Sequence, residues 1–243
     1  MAWSYVNTVV GSSCTTAASC TVTITGVTAG HALFVNTQFG YSFGETLTSF
    51  VVTDNHSNTY SNTAQSPVEL SGSSSLGFVG MSYLLTAPSG SSTITATVAV
   101  TGGDPALFIG LSVYEFAYTG IGSYDKDAAA AFNSGIGGSP ITSPSITPAN
   151  TGEFLLGMYT TDQGSQTGAN SPWTTMPGDD SAAYILSSAT GTTSANFNDS
   201  VTTGDSQGVI LAAFLPGGGS FVPDEDFWVA PSSQPSDSII SIF

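Results

Sequence analysis

Basic residues are almost missing from this chain. Of 243 residues only Lys126 is basic, there is no arginine, and 17 are Asp or Glu, for a net charge of −16. Without cations a protein cannot neutralise phosphates, which excludes DNA and RNA as partners. It also lacks the Arg and Lys clamps that hold nucleotide phosphates or carboxylates. Charged residues of both signs make up 7 %, against about a quarter in an average soluble protein. Solubility must then rest on Ser, Thr, Asn, Gln and Gly, with mutual repulsion from the acidic excess. No apolar run approaches the 18 or so residues of a membrane-crossing helix. Helical periodicity is nearly absent, with one short alanine-rich exception at Asp127–Phe132. The start Met1-Ala2-Trp3-Ser4-Tyr5 carries neither the basic residues nor the apolar stretch of an export signal. Such a chain fits life outside cells, reached as a processed form or inside a virus particle. A trypsin-like protease would find one site.

Strand signals fill the rest. Short runs of Val, Ile, Thr, Phe and Tyr, broken by Gly, Ser, Asn and Pro, predict about ten strands. They fall at Trp3–Val10, Cys20–Thr25, Ala32–Phe39, Thr48–Thr53, Val79–Thr86, Thr93–Val100, Leu107–Tyr118, Glu153–Thr161, Ala182–Ala189 and Gly208–Leu215. Thr93–Val100 alternates polar and apolar residues, so one face is wet. Phe108–Phe116 is apolar on both faces in its first half, as a central strand should be. The expectation is an all-β fold, an antiparallel two-sheet sandwich of jelly-roll type with an extended C-terminal tail. Residues 1–216 form the sandwich in this reading. The Gly/Pro/Ser-rich stretch 134–150 is a long loop across it.

Residues 217–243 differ in character. A Gly217-Gly218-Gly219 hinge leads into a tail carrying Phe221, Phe227, Trp228, Ile239, Ile240, Ile242 and Phe243 around the acidic Asp224-Glu225-Asp226. Such side chains are expected to dock, on copies of the same chain or on neighbouring particle proteins, by strand addition or as anchors in a pocket. Folding back on its own domain is the alternative.

Residues with reactive chemistry are few. Asp54 and His56 sit in Asp54-Asn55-His56-Ser57-Asn58, which reads as turn chemistry; no Gly-x-Ser-x-Gly elbow is present. His31 reads as a strand-end residue. Cys14 and Cys20 are the only cysteines, with five residues between them in a small polar loop. A disulfide there would contribute about 2 kcal/mol in an oxidising setting, and two free thiols are the alternative. Two cysteines and two histidines make a poor zinc site. Neither a cofactor nor a catalytic residue is expected. A structural calcium would be the exception, with Asp179 and Asp180 or Asp125 and Asp127 nearest to hand. Trp173, in a predicted loop, is the candidate stacking platform for a glycan.

Val51-Val52-Thr53-Asp54-Asn55-His56-Ser57-Asn58-Thr59-Tyr60, the later order Glu153–Tyr159, Trp173, Ala182–Thr190 and Gly208–Phe214, and the tail Pro223–Trp228 resemble β-sandwich proteins of tailed phages and soil bacteria. The resemblance implies a virion or surface structural role and carries no catalytic residues. The expected function is a non-enzymatic subunit of a virus particle, a capsid decoration, fibre or tail-associated protein. A secreted filament or surface-layer subunit, or a carbohydrate-binding adhesin, are the alternatives.

Overall fold

The computed structural model describes residues 3–42, 44–70, 75–120, 122–161, 165–189, 191–200 and 203–215. Among these there is no α-helix, only a 3-10 turn at Thr101–Gly103. The strands of the first half are β1 (Ser4–Ala17), β2 (Ser19–Val27), β3 (Ala32–Ser42), β4 (Leu47–Asp54), β5 (Ser61–Asn62), β6 (Val68–Glu69), β7 (Ser75–Leu84), β8 (Gly90–Val100) and β9 (Ala106–Ala117). Those of the second are β10 (Ser123–Gly138), β11 (Ile141–Thr142), β12 (Phe154–Thr161), β13 (Gln166–Ala169), β14 (Thr174–Met176), β15 (Asp179–Ile185), β16 (Asn196–Asp199) and β17 (Thr203–Leu215). β10 thus runs into the stretch expected to be a loop from 134 on.

The described residues are all-β and antiparallel, but they form four sheets where two were expected, and none of these closes into a barrel. An outer sheet β2-β8-β4 covers an inner sheet β1-β9-β3-β7-β5, to which β6 adds through β7. A second inner sheet β10-β17-β12-β15-β14 is covered by the outer sheet β11-β16-β13. Three cores lie between the four layers. In β3, Leu33, Val35 and Phe39 face the first outer sheet, while Ala32 and Phe34 face the second inner sheet. In β17, Ile210, Ala212 and Phe214 face the middle, and Val209, Leu211 and Ala213 face outward to the second outer sheet. This is why the inner strands read as apolar on both faces, whereas β8, with Thr93, Thr95 and Thr97 turned to solvent, alternates.

The second half repeats the first. Both inner sheets run in the order first, last, third, fifth among the main strands of their half, and both outer sheets in the order second, sixth, fourth. Register carries the repeat to single residues: Ala32 pairs with Phe116 as Phe154 pairs with Phe214. Ser4-Tyr5 and Ser123-Tyr124 open the two edge strands, each followed by a register shift. Gly30 and Gly152 take nearly the same positive φ, +84° and +83°, which glycine adopts without steric cost. Their N–H groups donate to Ala87 O and Ser188 O, at 2.9 and 2.8 Å.

The inner sheets pack face to face about this pseudo-twofold. Tyr5 of one stacks on Tyr184 of the other at 6.1 Å, and Tyr124 stacks on Tyr83 at 5.7 Å. Phe34, Phe116, Phe154 and Phe214 fill the centre, with centroids as close as 4.5 Å for Phe116–Phe154. Each such ring pair adds about 0.5–1.5 kcal/mol beyond area burial.

One of the differences between the halves lies beside their shared face. In the first, residues 63–74 lie between β5 and β7; in the second, only Pro177-Gly178 separates β14 from β15. Within the insertion β6 pairs with β7, and Leu70 donates its N–H to Gly77 O at 2.7 Å. The Leu70 side chain, 1 % exposed, fills a socket between Gly77 and Gly208. A Cβ on Gly208 would stand 3.0 Å from Leu70 Cδ1, so the socket requires small walls. Leu70→Ala is expected to cost about 2–5 kcal/mol in urea unfolding. A loss under about 1 kcal/mol, the ordinary effect of a substitution, would show that the socket is not a packed part of the fold.

Candidate functional site

A cavity of about 360 Å³ opens where the edge strand β1 meets the start of β15. β1 supplies Val10, Gly11 and Ser13, β3 supplies Asn36 and Gln38, and β9 supplies Gly110, Leu111 and Ser112. From the second half come Gln166 and the run Gly178-Asp179-Asp180-Ser181. The cavity is therefore built by both halves, at one end of their shared face.

A chain of hydrogen bonds forms its floor. Buried Tyr114 donates its hydroxyl to Asp179 Oδ2 at 2.6 Å, and Ser181 N–H donates to Asp179 Oδ1 at 2.9 Å. The Ser181 hydroxyl donates to the same oxygen, and Asn36 Nδ2 donates to Ser181 Oγ at 2.9 Å. Both Asp179 oxygens are engaged as acceptors, which holds β15 against β3 and β9. Burial, reinforced by the Asp179 charge, pushes the Tyr114 hydroxyl well above the usual phenol range, so it stays a donor. Gln38 is engaged at both ends, with Nε2 to Tyr159 O at 3.3 Å and Oε1 accepting from Thr160. Two groups are left over. Asn36 is 2 % exposed and its Oδ1 accepts nothing. Asp180 points outward at the rim. The result is a concave, acceptor-rich site, with no histidine or cysteine in its lining.

The residues singled out in the sequence lie elsewhere or do other work. Cys14 and Cys20 form a disulfide across the β1–β2 corner, with Cα atoms 5.6 Å apart. Trp173 is buried in the third core, 5 % exposed, with Nε1 donating to Ser194 O at 2.9 Å. It plugs the second sandwich as Tyr60 plugs the first, and its ring has no free face for a sugar. The Asp54 carboxylate accepts from His56 N–H at 2.9 Å and Asn58 N–H at 3.0 Å, as turn chemistry requires. His31 Nδ1 sits 2.7 Å from Glu115 Oε1, and His56 Nε2 lies 3.2 Å from Ser91 O.

Asp127 accepts from Gln65 N–H and Tyr124 OH, tying the Leu70 insertion to β10; Asp125 accepts from Ala149 N–H. Among the described residues no three His, Cys, Asp or Glu side chains gather as a metal would need. Phe221, Phe227, Trp228, Ile239, Ile240, Ile242 and Phe243 lie outside the described residues. The cavity itself was missed in the sequence. Its parts come from five separate segments, and of them only Asp179 and Asp180 stood out.

Glu153, at the pseudo-symmetric position of His31, is fully buried and accepts from Asn150 N–H at 2.6 Å. Burial, with the Asp125 carboxylate adding to it, raises its pKa above the usual carboxylate range. A raised folded-state pKa contributes stability that is full below the unfolded value and lost as pH rises through the folded one. Glu153→Gln keeps the accepting oxygen and removes that loss. Its unfolding midpoint is expected to gain on the wild type as pH climbs from about 4 to 7; parallel curves would refute the assignment. No protein-family model and no curated protein matches this chain, so its function has to be read from its own geometry.

Proposed function

We propose that this protein is a non-enzymatic structural subunit on the outside of a virus particle. It would serve as a capsid decoration, fibre or tail-associated protein and join copies of itself or other particle proteins through residues 217–243. The observation that carries the reading is where apolar surface remains. The inner sheets cover each other, and of the large apolar side chains exposed among the described residues, Val6 and Val10 lie on β1, and Leu107 and Phe108 on the adjacent β9. β1 is the edge of its sheet, paired on one side only. A sheet edge with apolar neighbours is a template for a partner strand. Register shifts at Tyr5/Asn7 and Val10/Ser13 divide it into short regular stretches, Asn7–Val10 and Ser13–Ala17. A short pairing segment with aromatic anchors, such as the tail offers, fits that better than a long strand would.

Three further features support the reading. The near-absence of basic residues fits a subunit that makes no contact with a genome. A disulfide suits an oxidising exterior. The strand order of each half, with alternate strands dealt to opposite sheets, is compatible with jelly-roll winding, an architecture common in capsids.

Solution mass by light scattering tests the reading, comparing the full chain with one ending at Gly219. The full chain is expected as a defined oligomer and the shortened one as a monomer. Two monomers, or two identical oligomers, would remove the tail from assembly.

A further inference from the structure

The cavity described above is the pseudo-symmetric mate of the Leu70 socket. Its Gly178 and Gly110 stand where Gly77 and Gly208 stand around Leu70, by the register of β15 with β12 and of β9 with β3 against their counterparts. On the Leu70 side the insertion plugs the space. On the other side Pro177-Gly178 is too short to supply a plug, and the space stays open.

The walls have changed with it. At the register positions where the Leu70 side has Met158, Ile210 and Val79, the open side has Asn36, Ser112 and Asp180. An apolar lining left without its plug would be an exposed hydrophobic hole; a polar lining makes a site.

We propose that this cavity binds a saccharide of one or two rings. Size allows it, since about 360 Å³ lies within the range of small-molecule sites. Asn36, whose buried Oδ1 accepts no hydrogen bond, belongs to the lining, and the exposed Asp180 presents a carboxylate at the rim. That carboxylate accepts from any donor a ligand brings. Ser13 and Ser112 hydroxyls and the Gln166 amide add groups that can donate. A hydroxyl both donates and accepts, so a polyol meets this mixture, whereas an ammonium ion would satisfy the acceptors alone. Phosphates and carboxylates are repelled, because the lining has no cation and the chain carries −16. Val10, 52 % exposed, gives one apolar wall for the C–H face of a sugar ring.

The test uses the full-length protein on a glycan array, followed by calorimetric titration of any binder and, separately, of spermidine. At least one mono- or disaccharide determinant is expected to bind. Asp180→Val and Ser112→Ile each import the residue of the filled socket. Each is expected to weaken binding by about tenfold or more, with the unfolding midpoint of Asp180→Val unchanged because that residue is exposed. An array without binders, spermidine binding without a sugar, or saccharide affinity unmoved by both substitutions would each overturn the proposal.

Discussion

The contact between the two inner sheets is what everything else in this protein depends on. Each half could close its own sandwich with an outer sheet, but its inner sheet would still present a face of Phe, Tyr, Met and Ala to water. Phe34, Phe116, Phe154 and Phe214 have no other place to go. Burying that face against its own repeat is the simplest solution, since a surface that complements itself about a twofold needs only one design. The stacked pairs Tyr5–Tyr184 and Tyr83–Tyr124 mark the two ends of that arrangement at nearly equal separations.

A chain almost without cations must also find other partners for its carboxylates. Among the described residues, Lys126 pairs with Asp125, and His31 Nδ1 meets Glu115. Main-chain N–H groups do most of the work: Thr28 for Glu115, Asn58 for Asp54, Gln65 for Asp127, Asn150 for Glu153 and Ser181 for Asp179. A charge-assisted bond to a main-chain donor is stronger than a neutral one, and it pins the loop that carries the donor. The acidic residues that look in the sequence like solvated turn residues or ion ligands are in large part loop staples. This also explains why the acidic pairs make a poor guide to a metal site: Asp127 and Asp179 are already saturated.

The strand character of ten segments and the two-faced burial of the inner strands were legible, because period-two alternation and continuous apolar runs are local properties; the seventeen strands of the described residues were not, and the alanine-rich Asp127–Phe132 lies in β10 instead of a helical turn. The apolar run in β9 and the alternation in β8 said which strand is inner and which outer. Four layers were not legible. A strand buried on both faces reads the same whether its second neighbour is a partner sheet or a repeat of itself. The repeat left only faint marks: Ser-Tyr at 4–5 and 123–124, and a glycine at 30 and 152 before an apolar run. Trp173 misled because a tryptophan after Ser-Pro looks like a loop residue, while three-dimensionally it occupies the place of Tyr60, the plug of the other sandwich. The cavity was beyond sequence reading, since Asn36, Ser112 and Asp180 meet only through the packing of the halves.

The two mates of the twofold show how such a duplicated fold acquires a site. Identical halves would give two identical sockets at the ends of the shared face, both needing a plug. Once one half carries an insertion that reaches its socket with Leu70, the two spaces are under different constraints. The plugged one must stay apolar and narrow, and it keeps Gly77 and Gly208 as walls. The open one is free of the packing demand, yet it cannot keep an apolar lining in water without cost. Polar replacements at Asn36, Ser112 and Asp180 relieve that cost. Their hydrogen-bonding capacity is then only partly met from inside, through Ser181 and Asp179. Asp180, exposed at the rim, is the one left to partners from solution. The asymmetry between two otherwise matched halves, more than any motif, is where this molecule departs from being only a scaffold.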